Sequence, residues 1–162
     1  ALTSSSPPMS VARVRVRIVP VGHHNWRAVA DLDVTEDQRR FVGATTGYLA
    51  LTHLGEQGWA PLAILADGET VGFAMWAHDQ ADDASWIGGF LIDRAHQRRG
   101  HGRSAMQALI AMAQASGAGC VKLGYDAENL VARSLYASLG FRETGEREGE
   151  EIVASLDLEE HS

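Results

Sequence analysis

Cysteine is almost missing from this sequence. Cys120 is the single one in 162 residues, so no intramolecular disulfide can form, and the chain suits a reducing, cytoplasmic setting. It falls in an expected strand and reads as a small buried residue rather than a nucleophile. No Ser or Cys is accompanied by the paired His and Asp that nucleophilic catalysis needs. No apolar run is long enough to span a membrane. Residues 1–10 are rich in Ser and Pro and lack the apolar core of a signal peptide; they are expected to be disordered, with Met9 a candidate natural start behind an added remnant. Positive charge is also short. Fourteen Lys and Arg against 21 Asp and Glu leave −7 at pH 7 and a pI near 5.4. That balance lacks the basic face of a general nucleic-acid binder and suits a cationic partner. A metal set is missing too: His23 and His24 are adjacent rather than on one helix face, and no Cys/His group accompanies them.

What is present is 45% hydrophobic content, enough for one domain with a substantial core, expected over residues 11–158. Its chemistry centres on Gln97-Arg98-Arg99-Gly100-His101-Gly102, followed at once by Arg103 and a helical run. A loop feeding a helix N-terminus offers unpaired N–H groups and the positive end of the helix dipole. Gly100 and Gly102 let the backbone turn sharply and approach a bulky ligand. Arg98, Arg99 and Arg103 bring forked donors suited to phosphate oxygens. The stretch reads as a pyrophosphate cradle. It has neither the Gly-Lys-Ser/Thr ending of a Walker loop nor the three-glycine spacing of a dinucleotide fingerprint.

Hydrophobic periodicity supplies the elements around it. Val14, Val16 and Ile18 alternate with arginines as a half-buried strand; residues 23–32 and 36–54 read as helical, the second broken near Gly43 and Gly47. Strands at 61–67 and 71–78 flank the hairpin signal Asp67-Gly68. A strand over 85–93 carries the doublet Gly88-Gly89, which predicts a bulge or a close backbone approach. A helix over 103–115 with core-filling Met106 and Met112, a strand over 120–125, a helix over 129–139 closed by Gly140, and short strands near 141–144 and 152–158 complete the chain. The order is βααβββαβαββ, an α/β domain with one mixed, mostly antiparallel sheet of six or seven strands and about four helices.

Asn129, Ala132, Arg133 and Tyr136 share one helix face. By itself Asn129 reads as a cap and Tyr136 as a half-buried aromatic. Together, however, Gln97-x-x-Gly100-x-Gly102 and Asn129-x-x-Ala132-x-x-x-Tyr136-x-x-x-Gly140-Phe141 resemble, in order and spacing, the two signatures of the GNAT superfamily of N-acetyltransferases. The resemblance covers residues 13–158. Within that superfamily, residues 36–42, Pro61-Leu62-Ala63-Ile64, Val71-Gly72-Phe73-Ala74-Met75 and Ile92-Asp93 resemble bacterial spermine/spermidine (diamine) acetyltransferases, with Gly88-Gly89 a departure from their charged strand position.

The resemblance implies direct transfer of acetyl from acetyl-CoA to a primary amine, with a polyamine or other small cationic amine as acceptor. It implies that Phe90, Leu91 and Ile92 hold the pantetheine arm, with the Leu91 backbone polarising the thioester. Residues Gln97, Arg98, Arg99, Gly100, His101, Gly102 and Arg103 would hold the pyrophosphate. Asn129 and Ser134 would contact the cofactor, and Tyr136 would protonate the departing thiolate. For the base, Glu36 is the first candidate, as base or as amine contact, and Asp37, Asp82, Asp83, His53 and His78 stay open beside it. The acidic turn 79–83 is expected beside the active strand. A homodimer is a further implication. Acetylation of a protein N-terminus or lysine, and a non-catalytic acetyl-CoA sensor, are the alternative readings.

Overall fold

The computed structural model describes residues 15–55 and 58–158; the expected tail at 1–10 and the start of the first strand at Val14 lie outside them. The elements are β1 (Val16–Pro20), α1 (Trp26–Ala30), α2 (Thr45–Leu54), β2 (Ala60–Ala66), β3 (Glu69–Asp79), β4 (Ala84–Ile92), α3 (His101–Ala115), β5 (Cys120–Tyr125), α4 (Leu130–Ser138), β6 (Arg142–Glu148) and β7 (Glu151–Asp157). This is the expected order, with short 3-10 turns added at Glu36–Gln38 and Arg94–His96. The long helix expected over 36–54 is thus a 3-10 turn and a separate α2. The interruption falls at Gly43, whereas Gly47 lies inside α2.

One sheet runs β1-β2-β3-β4-β5-β7-β6. Every neighbouring pair is antiparallel except β4 and β5. Asp67 and Gly68 both have positive φ, 50° and 79°, the twist a two-residue hairpin requires between right-twisted strands. Both faces of the sheet are covered. On one, Met106, Leu109 and Ala113 of α3 and Tyr136 of α4 pack on Leu62, Ala74, Ile87, Val121 and Leu123. On the other, Val29 of α1 and Val34 close over Ala63, Phe73, Met75 and Leu91, with Tyr48 and Trp59 at the edge. Each large side chain buried in this way contributes about 1.5–3 kcal/mol.

Two features of β4 open the molecule. It pairs with β5 only from Ala84↔Cys120 to Ile87↔Leu123, after which the parallel strands separate. On its other edge Met75 faces Gly88 and Phe73 faces Leu91, so Gly89 and Phe90 together oppose Ala74. This is the bulge expected from the glycine doublet, with Gly89 left-handed at φ 57°.

Candidate active site

The gap between β4 and β5 is the floor of a cleft of about 1310 Å³. Its walls come from the segment before α2, the bulged half of β4, the glycine loop, the end of β5, the first turns of α4, and Glu148 and Glu151 of the β6–β7 hairpin.

At one end stands the glycine loop. Gly100 is left-handed at φ 82° and starts α3. Ser104 is the first α3 residue whose N–H returns to the loop, reaching the Gly100 carbonyl at 3.1 Å. Among the described residues no backbone N–H from Gln97 to Arg103 donates to a protein acceptor. Those free donors, the helix dipole and Arg98 at the cleft wall form a site that fits a pyrophosphate. Arg98 itself is left-handed, φ 64°, a conformation that costs a non-glycine residue about 1 kcal/mol.

Three expected contacts lie elsewhere. Arg99 is exposed and outside the cleft lining. Arg103 turns along α3 to donate to Ser138 Oγ at 2.7 Å, tying α3 to α4. Ser134 is exposed on α4, two residues from Tyr136 and therefore on the far side of the helix. Gln97 borders the cleft, but its amide is committed: Nε2 donates to Gln38 Oε1 at 2.8 Å and to the Ile92 carbonyl at 2.9 Å. Only its backbone N–H remains for a ligand.

Strand alternation corrects the expected role of Leu91. Its carbonyl lies against Gly72 of β3, and the Asp93 N–H bonds the Val71 carbonyl at 2.7 Å, so odd-numbered positions here turn their backbone toward β3. The backbone groups facing the opening are those of Phe90 and Ile92; the Ile92 carbonyl, held by Gln97, marks that side.

Opposite the loop, Asn129 caps α4, its Oδ1 accepting from the Ala132 N–H at 3.3 Å. Two turns later Tyr136 reaches the cleft. Gly140, φ 99°, ends the helix: the Gly140 N–H bonds the Ala137 carbonyl and the Phe141 N–H bonds Tyr136 O, at 3.1 and 3.0 Å. That paired closure brings Phe141 back onto Tyr136, ring centres 5.8 Å apart, with Tyr125 on the other flank at 5.4 Å. Tyr136 is 7% exposed, and its hydroxyl bonds no protein group among the described residues. Burial, then the charge of Glu151, holds its pKa above the ordinary phenol range, so it keeps its proton. Tyr125 differs: its hydroxyl donates to Glu143 at 2.9 Å, and burial plus that bond push it up to about 12. Arg133 holds the same Glu143 at 2.7 Å and lowers its pKa.

The third wall is acidic and aromatic. Asp126, Glu128, Glu148 and Glu151 line it, with Trp59, Tyr48 and Trp86. Gly88 and Gly89 leave the space these rings occupy. A Cβ on Gly88 would stand 3.2 Å from Trp59, and one on Gly89 3.3 Å from Tyr48. Of the expected bases, Glu36 and Asp37 border the cleft from the 3-10 turn. Arg40, which follows that turn, reaches Glu128 of the β5–α4 turn at 3.5 Å.

The acidic turn 79–83 is not beside the cleft. It precedes β4 at the end remote from the glycine loop, where Asp82 pairs with Lys122 at 3.3 Å and the Asp83 carbonyl receives the Gly119 N–H. His78 faces Asp83 there, and His53 is exposed on α2 outside the cleft lining. Sequence reasoning missed Glu148 and Glu151. The available signal was Gly149 between strand-like runs, since a hairpin there brings its acidic tip beside β5.

A parallel pair that separates over a bulge, with a helix N-terminus at one side and a buried tyrosine at the other, defines an acyl-CoA-dependent transferase fold. The Acetyltransferase (GNAT) family model matches residues 26–141, and the chain belongs to that family. It is an N-acetyltransferase, and its co-substrate is acetyl-CoA. The chain is 28% identical over 148 residues to a probable spermine N(1)-acetyltransferase of Bacillus subtilis subsp. natto (strain BEST195), covering 85% of this chain and 96% of the relative. Among solved structures it resembles the ribosomal-protein-S18-alanine N-acetyltransferase from Escherichia coli, with TM-score 0.68, 21% identity, and coverage of 91% of this chain and 97% of that one. It also resembles the PaiA N-acetyltransferase from Thermoplasma acidophilum in complex with coenzyme A, with TM-score 0.65, 10% identity, and coverage of 89% and 99%.

Proposed function

We propose that this protein N-acetylates small amines carrying more than one positive charge, polyamines being the type. The observation that carries this reading is the acceptor wall, where Asp126, Glu128, Glu148 and Glu151 meet Trp59, Tyr48 and Trp86. Carboxylates attract and aromatic faces hold ammonium groups, and a chain of formal charge −7 adds long-range attraction. The spermine acetyltransferase named among its relatives supports the same class.

In this reading the N–H groups of residues 98–103 hold the pyrophosphate, with Arg98 adding charge. Backbone groups of Phe90 and Ile92 align the acyl arm in the gap, and a fixed N–H there polarises the thioester carbonyl. Asn129, whose Nδ2 has no partner among the described residues while Oδ1 caps α4, contacts the arm from the other side. Tyr136 supplies a proton as negative charge builds on the leaving atom. Gln97 positions the loop rather than touching phosphate.

Thiol release measured with spermidine, spermine, monoamines, arylalkylamines, aminoglycosides and N-terminal or lysine peptides tests the assignment. The expected result is the highest kcat/KM for the polyamines. A peptide or neutral arylalkylamine in first place overturns it, and acetyl-CoA binding without turnover of any acceptor makes the protein a sensor.

A further inference from the structure

Removing the ammonium proton needs a base; Glu36 and Asp37 border the cleft from the 3-10 turn, and the β6–β7 hairpin brings a further carboxylate, Glu151, to the gap itself. β7 pairs with β5 as Tyr125↔Ile152 and Gly124↔Val153, so alternation puts Glu151 on the face of β5 occupied by Gly124, opposite the face where Tyr125 meets α4. Gly124 has no side chain to obstruct it: a Cβ there would stand 3.5 Å from Glu151 Cβ and 3.7 Å from its Oε2. Glu151 therefore extends over bare backbone where β5 leaves β4. Tyr136 reaches the same opening from the α4 side, nine-tenths buried and with its hydroxyl unpartnered among the described residues. The two are close enough that the carboxylate raises the phenol's pKa.

We propose that Glu151 is the catalytic base, receiving the proton of the acceptor ammonium on one face of the sheet while Tyr136 serves the leaving sulfur on the other. This rests on the amine-acetyltransferase reading. The nitrogen–carbon bond forms as the carbon–sulfur bond breaks. One ammonium proton passes to Glu151 and on to solvent. Tyr136 gives its proton to sulfur and is restored by the second proton that leaves nitrogen as the amide forms. The net release is one proton.

The charged groups facing Glu151 are Asp126 on the β5–α4 turn and Glu148 across the hairpin, with Tyr136 beyond the gap. Lys122, next along that face of β5, is held by Asp82 and Glu146. Although Glu151 is exposed as a residue, partial burial of its carboxyl and then the like charges of Asp126 and Glu148 raise its pKa. Such a shift brings a carboxylate toward the range useful for a base.

The test is Glu151→Gln in the whole protein, assayed with whichever amine the wild type acetylates. Expected are a fall in kcat of about 10²-fold or more, loss of the acidic limb of the pH–rate profile, and unchanged acetyl-CoA affinity and melting temperature. Glu148→Gln should move the acidic limb to lower pH, because one like charge is gone. Retention of kcat and of the limb in Glu151→Gln, or a change in KM alone, overturns the assignment while leaving the amine reading intact. Failure of the wild type to turn over any amine overturns both.

Discussion

Gln38 and Gln97 exchange hydrogen bonds, Gln97 Nε2 to Gln38 Oε1 at 2.8 Å and Gln38 Nε2 to Gln97 Oε1 at 3.2 Å. The pair is half-buried, and it joins the segment before α2 to the glycine loop. Nearby, the Asp33 N–H donates to Asp93 Oδ1 at 3.0 Å and the Arg94 N–H to the Asp33 carbonyl at 2.7 Å. The wall bearing Glu36 and Asp37 and the loop bearing the cofactor donors are therefore one mechanical unit. Either single change, Gln38→Ala or Gln97→Ala, removes a pair worth about 1 kcal/mol and should lower Tm by about 2–4 °C. Each should also raise KM for both substrates. The double variant should lose no more than the larger single loss, and full additivity in a thermal-melt cycle would show the pair is not coupled.

Arg98 separates backbone from side chain. Its left-handed φ of 64° is strained for arginine and natural for glycine. Arg98→Gly should leave Tm no lower than Arg98→Ala, and both should weaken acetyl-CoA binding. Calorimetric affinities equal to wild type would remove the guanidinium from the phosphate site.

Gly89 and Gly145 both have positive φ, 57° and 83°. A methyl on Gly145 meets open space, whereas one on Gly89 crowds Met75 and Tyr48. Both changes to Ala carry a backbone cost of about 1–2 kcal/mol, visible in Tm. Only Gly89→Ala should also lower kcat/KM sharply, because the bulge sets which groups of β4 face the gap. Equal activity losses in the two variants would detach the bulge from catalysis.

Much of this was legible beforehand. The element order, the bulge and the capped α4 are dictated by glycines and by hydrophobic period, local properties that survive folding. What was not legible is long-range. Gln97 fits an anion loop in sequence, and only the approach of Gln38 shows that its amide is committed. Leu91 and Phe90 are equivalent candidates until the pairing with β3 fixes the alternation. Glu151 lies beyond both signatures and enters the site only because β7 inserts between β5 and β6.

His101 predicts a pH effect on stability. It is 8% exposed, and its Nδ1 has no partner among the described residues. Burial, then the charges of His96 and Arg99, lowers its pKa. Above the ordinary histidine value of about 6.5 neither state is protonated, and stability is unaffected. As pH falls below that value the unfolded chain takes the proton first, so stability declines until the folded pKa is passed. Urea melts of wild type and His101→Gln between pH 7.5 and 5 should diverge in slope, the variant being flatter. Parallel curves would show that the ring protonates freely in the folded state.

Tyr136→Phe keeps both ring contacts and deletes a hydroxyl that bonds no protein group among the described residues. Tm should not fall, while kcat drops about 10²–10⁴-fold, the range for a positioned acid. An unchanged kcat with chemistry rate-limiting would exclude Tyr136 as the acid.

The acceptor preference can be traced to its carboxylates. Exposed charges act on a mobile cation mainly through long-range attraction, which salt screens over about 8 Å at physiological ionic strength. A diamine should therefore exceed a monoamine of equal length in kcat/KM at low salt, and the ratio should shrink as salt rises. Glu128 and Glu148 border the cleft, while Asp82 faces Lys122 at the other end of β4. Glu128→Gln and Glu148→Gln should each reduce the diamine preference, chiefly through KM, and Asp82→Asn should leave it where it was, although it removes the same formal charge. If all three variants lose preference equally, the attraction belongs to net charge and not to the hairpin rim. If none does, the second ammonium is bound elsewhere, and the aromatic wall of Trp59, Tyr48 and Trp86 becomes the place to look.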